Sequence, residues 1–215
     1  MQEEMTEYDF RQKMVAASLR LVELGLNRGA AGNLSLRHGE NFLVTPSALP
    51  PEAMHPEDMV LMDFSGEVVT GERPSSEWRF HRDILANRPE IGSVVHVHSP
   101  FATTLACLGR EVPPFHYMIA AAGGTSIRCA PYALFGTQAL SDHALAALHD
   151  RRACLLANHG MIAAGRDLDE ALGLAVEVES LCEQYWRALQ IGEPNILSDA
   201  EMTEVMEKFR GYWRR

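Results

Sequence analysis

Apolar residues recur along this chain with two periods, one typical of helices and one typical of strands. Residues 5–26 carry apolar side chains at every third or fourth position, which predicts an amphipathic helix. A second helix is predicted within residues 74–89, where proline and serine precede an amphipathic run that stops at a proline. Further helices are predicted at residues 101–109, 137–151, 167–192 and 198–214.

Short runs rich in β-branched and other apolar residues predict the strands. They lie at residues 33–37, 41–45, 59–64, 67–70, 93–99, 125–130, 153–160 and 161–165. Turns at Gly39 and Gly66 join two pairs of these strands, which indicates local antiparallel pairing. Because helices and strands alternate only loosely, we predict one α/β domain over residues 1–215. Its central sheet would be mainly antiparallel or mixed, and helical layers would flank it.

Composition and charge narrow the classes of function. Hydrophobic residues make up 47% of the 215 residues, enough for a sizeable core, and the formal net charge is −10. An acidic chain without a basic cluster is not expected to bind nucleic acid or an anionic membrane. The four cysteines are widely spaced and form no CxxC motif, and the opening segment is acidic where a secretion signal would be basic. We therefore expect a cytoplasmic protein with reduced thiols and no membrane span.

The segment SVVHVHS at residues 93–99 places two histidines in the most apolar part of the chain. Side chains alternate faces along a strand, so His96 and His98 are predicted to lie together on one face. Two interpretations stay open at this point: histidines bonded to backbone in the core, or neutral imidazoles that share a metal ion. His159, which follows another apolar strand and precedes Gly160, would complete a catalytic site of three protein ligands and one open position. Zn²⁺ is the first candidate, and Co²⁺, Mn²⁺ or Fe²⁺ suit the same ligands.

The remaining histidines are predicted to lie in loops or on polar helix faces, mostly at the surface. They are His38, His55, His81, His116, His143 and His149.

The start of the second helix also has two interpretations. Ser75 or Ser76 suits a helix N-cap, which would place Glu77 in the first turn. Alternatively, the hydroxyls and free amides of this helix start bind a phosphate, and Glu77 acts as a general base beside it. The glycine-rich turn at residues 27–35 and the proline turn at residues 44–50 are equally open between tight turns and phosphate contacts.

Taken together and in order, eight segments resemble the class II aldolase/adducin family, and within it the aldolases of L-fuculose phosphate. The segments are GNLS at 32–35, TPS at 45–47, PSSEWRFH at 74–81, HVH at 96–98, HYMIAAAGG at 116–124, CAPYALFGT at 129–137, NHG at 158–160 and EKFRGYW at 207–213.

The resemblance implies a metal-dependent lyase that cleaves a ketose 1-phosphate to dihydroxyacetone phosphate and a small aldehyde. Candidate substrates are L-fuculose 1-phosphate and the 5-deoxy and 5-methylthio pentulose 1-phosphates. It also implies a homotetramer with active sites between neighbouring subunits. The chain has only two lysines, which disfavours the alternative lysine-imine route to aldol cleavage.

By the same resemblance, each candidate site residue receives a role. His96, His98, His159 and Glu77 would hold Zn²⁺, and Glu77 would also act as the catalytic acid/base. Tyr117, supplied across the subunit interface, would handle the proton on the aldehyde oxygen, and Tyr212 matches a tyrosine of a mobile tail. The implied phosphate-binding residues are Gly32, Asn33, Thr45, Ser47, Ser75 and Ser76.

Three other functions on this fold stay open. A sugar-phosphate 4-epimerase or a methylthioribulose-phosphate dehydratase would share the histidine trio, whereas an adducin-like interaction domain would lack it. One departure from the family pattern stands beside the TPS segment, where relatives commonly carry glycine and this chain carries Ala48. If that position requires a positive φ, alanine adds strain there.

Overall fold

An eight-stranded sheet forms the centre of the computed structural model, which describes residues 5–212. In the order β4-β3-β2-β1-β5-β8-β7-β6, neighbouring strands are hydrogen-bonded. The strands are β1 (Asn33–His38), β2 (Asn41–Val44), β3 (Val60–Asp63), β4 (Val68–Thr70), β5 (Ser93–Val97), β6 (Arg128–Ala130), β7 (Ala153–Leu156) and β8 (Gly160–Gly165). Among the described residues, every neighbouring pair is antiparallel except β6 and β7, which are parallel. The predicted mixed, mainly antiparallel sheet is confirmed.

Within residues 5–212, six α-helices flank the sheet. They are α1 (Glu7–Glu23), α2 (Trp78–Asn87), α3 (Pro100–Cys107), α4 (Gln138–Ala147), α5 (Leu168–Ile191) and α6 (Asp199–Tyr212). The sequence predicts neither a helix nor a strand at residues 117–124. The structure has a 3₁₀-helix there, Tyr117–Ala122, which ends at Gly123 with a φ of 95°. No helix in the described part of the chain is long and apolar enough to cross a membrane.

The two faces of the sheet bury separate cores. Val95 and Val97 pack with residues of α1, α3 and α5, whereas Val94 packs with residues of α2 and α4. Successive side chains of β5 therefore point to opposite faces of the sheet, as the sequence predicted. His96 follows on the same side as Val94, and its ring lies 5.4 Å from the ring of Phe80 in α2. His96 thus lies under α2, on the sheet face that α2 and α4 cover.

Antiparallel pairing of β1, β5 and β8 aligns the residues that matter for the site. Asn33 of β1 is opposite His96 of β5, and His96 is in turn opposite Ile162 of β8. Asn33 and His96 therefore lie side by side on neighbouring strands, and His159 lies at the turn that precedes β8. The rest of β5 is fully buried, so the register is fixed by the apolar face on either side.

Candidate metal centre and substrate pocket

Four side chains meet at the end of β5. One ligand atom from each of Glu77, His96, His98 and His159 lies within 4.8 Å of the other three. Glu77 and His96 are buried, and His98 and His159 are partly exposed. The structure therefore brings together all four residues that the resemblance assigned to a metal.

The hairpin between β7 and β8 carries His159 to this place. Asn158, at the turn, has a φ of 56°, a left-handed conformation that asparagine tolerates better than most residues. The backbone amide of Asn158 donates to the carbonyl of Ala106 at 3.0 Å, which fixes the turn against the end of α3. At Gly160 a Cβ atom would overlap the carbonyl oxygen of Val97, so only glycine allows β8 to approach β5 this closely.

The backbone of β8 sets the tautomer of His96. Its Nδ1 lies 2.9 Å from the carbonyl oxygen of Met161, an acceptor, so Nδ1 carries the proton and donates. Nε2 faces the cluster and lies 3.0 Å from Nε2 of His98. A backbone carbonyl behind the far nitrogen is the usual way that proteins orient a metal-binding imidazole.

Glu77 departs from its predicted place in the first turn of α2. It is the N-cap residue itself, with φ −103° and ψ 13°, and its side chain makes no capping hydrogen bond. The interpretation of a serine N-cap is therefore wrong, because the helix begins later than its proline and serines indicated. The carboxylate of Glu77 instead points to the imidazoles. Its Oε2 lies 3.3 Å from His96 Nε2, and its Oε1 lies 3.1 Å from His159 Nε2.

Burial and the imidazoles act in opposite directions on Glu77. Burial alone raises the pKa of its carboxyl, but His96 and His159 outweigh burial, so the pKa lies well below its usual range. For His98, burial and the neighbouring His96 and His159 lower the pKa to about 4. At neutral pH the cluster is therefore a carboxylate beside a neutral His98, the protonation that metal binding requires.

These donors fit a divalent cation. Two ligands bound at about 2.0–2.1 Å to one tetrahedral ion lie about 3.3 Å apart. Three donor pairs in the cluster are 3.0, 3.1 and 3.3 Å apart, and all four donors lie within 4.8 Å of one another. Glu77 Oε1 is buried and lacks a hydrogen-bond donor of good geometry, although His159 Nε2 is near. A buried carboxylate oxygen without such a donor is costly unless a cation completes its surroundings. Three imidazoles and one carboxylate suit a borderline divalent ion such as Zn²⁺.

The predicted phosphate-binding segments meet beside this cluster. Thr45 is the link, since its hydroxyl oxygen accepts from the amide of Leu34 at 3.1 Å and its carbonyl accepts from the amide of Ser75 at 2.9 Å. The amide of Ser47 donates to the carbonyl of Arg73 at 3.0 Å, and the amide of Gly32 donates to Asn27 Oδ1 at 2.9 Å. The segments around residues 32, 45 and 75 thus form one rim.

Within that rim, Ser75 is buried and its hydroxyl oxygen accepts from the Glu77 amide at 3.3 Å. Ser76 is exposed and lines a pocket of about 330 Å³ together with Glu77, His98 and His159. The remaining pocket residues are Ala31, Tyr132, Ala133, Phe135 and Asn158. No sequence argument gave these five residues a role, although three of them fall in the CAPYALFGT segment that carried the resemblance.

The loop that contains Tyr132 and Phe135 is held at the start of α2. Arg79 donates to the carbonyl of Gly136 at 2.7 Å, and a Cβ at Gly136 would lie 2.6 Å from the Ser76 carbonyl oxygen. Both aromatic side chains are 61% exposed. They therefore present apolar surface at the mouth of the pocket.

The environments of Asn33 and His81 differ most from those predicted from the sequence. His81 was expected near the surface, but it is fully buried, and its ring nitrogens contact Ser35 Oγ at 2.7 Å and Asn33 Oδ1 at 2.6 Å. Asn33 in turn donates from Nδ2 to Glu77 Oε2 at 3.0 Å. Position 81 lies one helical turn beyond Glu77, a spacing that would have revealed its shared face had the helix start been known.

The two predicted tyrosines are not part of this cluster. Tyr117 is 52% exposed, packs against the rings of His116 and Phe209, and does not line the pocket within this chain. Tyr212 is the last residue of α6, and its side chain lies outside the described part of the structure. The roles predicted for both stay predictions.

Glu179 of α5 is a buried carboxylate that the sequence analysis did not single out. It accepts from Ser99 Oγ at 2.6 Å and from the amides of Phe101 and Ala102 at 2.7 and 2.8 Å. These donors are at the start of α3, so the carboxylate caps that helix from a neighbouring one. Because Ser99 follows His98 directly, this cap also fixes the segment that carries the histidine.

Comparison with known proteins identifies the family. The profile of the Class II Aldolase and Adducin N-terminal domain matches residues 12–186. A 5-methylthioribulose-1-phosphate/5-deoxyribulose-1-phosphate aldolase of Rhodospirillum rubrum is 58% identical over 202 residues, which cover 94% of this chain and 91% of the relative. An L-fuculose phosphate aldolase of Escherichia coli K12 is 45% identical over 205 residues, 95% of each chain.

Comparison with solved structures identifies the same family. The solved structure of an L-fuculose 1-phosphate aldolase superposes with a TM-score of 0.92 at 41% identity, covering 96% of this chain and 98% of the other. The chain belongs to the class II aldolase and adducin family. The family resemblance noted in the sequence is confirmed.

Proposed function

We propose that this chain is a metal-dependent class II aldolase that cleaves a ketose 1-phosphate to dihydroxyacetone phosphate and a small aldehyde. The observation that carries the proposal is the convergence of Glu77, His96, His98 and His159 beside an open pocket. The aldolases that share about half of its residues support the same reaction. A complete set of metal donors speaks against a purely structural, adducin-like role.

We propose Zn²⁺ as the metal, with Co²⁺, Mn²⁺ and Fe²⁺ as substitutes that the same donors accept. Its ligands would be the three imidazoles and the carboxylate of the cluster. When bound, a divalent cation supplies Lewis-acid stabilisation of the negative charge that develops on substrate oxygens.

Cleavage breaks the bond between C3 and C4 of the ketose. The C4 hydroxyl loses its proton as the aldehyde forms, and C3 must receive a proton to complete dihydroxyacetone phosphate. Glu77 suits the second task, because it is the carboxylate at the pocket wall and Asn33 holds one of its oxygens. Ser76 and the rim around Thr45 would anchor the phosphate so that the reacting carbons lie beside Glu77.

Among ketose 1-phosphates, 5-methylthioribulose 1-phosphate and 5-deoxyribulose 1-phosphate are the favoured substrates. The relative with 58% identity bears those names, whereas the L-fuculose phosphate aldolase is 45% identical. The aldehyde halves of the two favoured substrates lack the hydroxyl of lactaldehyde, and Tyr132, Ala133 and Phe135 give the pocket apolar surface. L-Fuculose 1-phosphate is the second candidate, and apolar contacts separate such tails by only about 1–3 kcal/mol.

Assembly belongs to the same proposal. The proton on the aldehyde oxygen needs an acid/base group, and Tyr117 does not line the pocket of its own chain. A homotetramer in which Tyr117 of a neighbouring copy completes each site would supply it. The exposed rings of Tyr117, Tyr132 and Phe135 are surface that such an interface would cover. We further propose the cytoplasm as the location, on the grounds of composition.

One panel assay tests the proposed reaction. Purified protein loaded with Zn²⁺ is incubated with the three ketose 1-phosphates, and dihydroxyacetone phosphate is measured through a coupled dehydrogenase. We expect release of dihydroxyacetone phosphate, highest kcat/KM for the 5-deoxy or 5-methylthio pentulose, and loss of turnover after chelation. Epimerised substrate or a dehydrated product in place of dihydroxyacetone phosphate would instead establish the epimerase or dehydratase alternative.

A further inference from the structure

A buried hydrogen-bonded chain reaches Glu77 from the sheet. It runs from the hydroxyl of Ser35 through the imidazole of His81 to the amide of Asn33, and ends at Oε2 of Glu77. The successive contacts are 2.7, 2.6 and 3.0 Å. Ser35 and His81 are fully buried, and Asn33 is 6% exposed.

Two secondary structure elements bring these groups together. Asn33 and Ser35 are two residues apart in β1, so their side chains lie on one face of the sheet. His81 is in α2, which covers that face one turn after Glu77. A single ring therefore spans both strand residues, with Nδ1 toward one and Nε2 toward the other.

The direction of every hydrogen bond in the chain follows from its last member. A carboxylate only accepts, so Asn33 presents its Nδ2 to Glu77 and turns its Oδ1 to His81. An amide oxygen also only accepts, so Nε2 of His81 carries the proton and donates. Nδ1 of the neutral ring is then an acceptor, and Ser35 donates its hydroxyl proton to it.

We propose that His81 is a positioning residue for the metal centre, acting on Glu77 through the amide of Asn33. The inference rests on the proposed function, because it assigns Glu77 a role in holding the metal. Without a donor at Oδ1, the Asn33 amide is free to turn over and bring its oxygen against the carboxylate, which repels it. With His81 in place, one amide orientation is satisfied, and the Glu77 carboxylate is held toward the histidines.

The first test measures Zn²⁺ affinity of metal-free protein by competition with a chromophoric chelator. His81→Phe keeps an aromatic ring but removes both hydrogen bonds, and we expect a loss of about 10–100-fold in affinity. His81→Gln offers a donor and an acceptor, and we expect it to bind within about threefold of the wild type.

A matched control lies on the same helix. Asp83 is buried and accepts from Ser141 Oγ at 2.6 Å and Gln138 Nε2 at 2.7 Å, contacts that lead to α4. Asp83→Asn should lower the thermal midpoint yet keep wild-type affinity for Zn²⁺. If folded His81→Phe binds Zn²⁺ as tightly as the wild type, the ring is only a packing group and the proposal is overturned.

The second test requires neither metal nor substrate. Long-range ¹H–¹⁵N correlation spectra of the metal-free protein report the tautomer of each histidine, and His81 should show a protonated Nε2 and an unprotonated Nδ1 at pH 7. A protonated Nδ1 would overturn the proposal, since the chain would then run in the other direction. Ser35→Ala should reduce the population of the Nε2–H form.

Failures of the two proposals are distinguishable. A wild-type protein that binds Zn²⁺ but releases no dihydroxyacetone phosphate would refute the reaction and leave the affinity comparison valid. A wild-type protein that binds no divalent ion would refute the metal centre and, with it, the positioning role of His81, whatever its tautomer.

Discussion

Gly160 and His98 lie so close that a Cβ atom at residue 160 would stand 2.8 Å from the imidazole Cδ2. The same atom would overlap the Val97 carbonyl. The absence of a side chain at Gly160 thus allows β8 to lie close to Val97 and His98.

Gly160→Ala is therefore expected to disturb both stability and the metal centre. The added methyl group must displace either the His98 ring or the backbone of Val97, at a cost of about 1–3 kcal/mol in the free energy of unfolding. Gly173→Ala is the control, since nothing lies within 4 Å of a Cβ at that position in α5. The control should raise stability by roughly 0.5–1 kcal/mol, as measured by urea unfolding. Equal effects of the two variants would show that the contact with His98 is tolerated.

Glu77→Gln should separate metal binding from turnover. The amide keeps the size of the side chain and one oxygen for the cluster, but it cannot act as a general acid or base. We expect kcat to fall by roughly 10²–10⁴-fold, with Zn²⁺ still bound in stoichiometric amount by metal analysis. A zinc-loaded variant that turns over at the wild-type rate would remove the acid/base role.

Mixed oligomers test whether Tyr117 acts across an interface. Tyr117→Phe and Glu77→Gln should each be nearly inactive as homogeneous assemblies. When the two are mixed, dissociated and reassembled, some interfaces will combine an intact Glu77 with an intact Tyr117 of the neighbour, and activity should return. The proposal of shared sites fails if reassembled mixtures stay as inactive as the two parents.

Ala48 carries backbone strain that a single substitution should relieve. Its φ of 59° lies in the left-handed region, so the condition under which alanine was expected to add strain is met. Ala48→Gly should stabilise the protein by about 1 kcal/mol, visible as a higher urea midpoint. The mirror-image control is Gly39→Ala, at a φ of 58° with nothing within 4 Å of its Cβ, which should destabilise the protein. A lower midpoint for Ala48→Gly would contradict this account.

The metal-free protein should become less stable as the pH drops below about 6.5. Burial, and secondarily His96, lower the pKa of His81 to about 3, against 6.5 in the unfolded chain. Between these values the unfolded state binds the extra proton, so the unfolding free energy rises with pH by up to about 1.4 kcal/mol per unit. Above pH 6.5 this group adds no further change. Urea unfolding at pH 7.5 and pH 5.0 should show a loss about 2 kcal/mol greater for the wild type than for His81→Gln. Equal losses would mean that His81 is not the buried neutral group.

Local features of the sequence determined most of the fold. The period of apolar residues fixes which face of a helix or strand is buried, and this depends only on near neighbours in the chain. The alternation in β5 placed His96 and His98 on one side, and the turn at Gly39 set the antiparallel pairing of β1 and β2. The ordered motifs also indicated the family, because that order spans nearly the whole chain.

Only the tertiary structure decided the environment of each polar group. His81 looked like a surface residue from its own helix, but β1 supplies partners for both ring nitrogens from more than forty residues away. Glu77 became an N-cap facing three imidazoles because α2 begins where β5 and the β7–β8 turn end. The physical reason is that burial and pairing depend on what packs across from a side chain, and no local pattern encodes the partner.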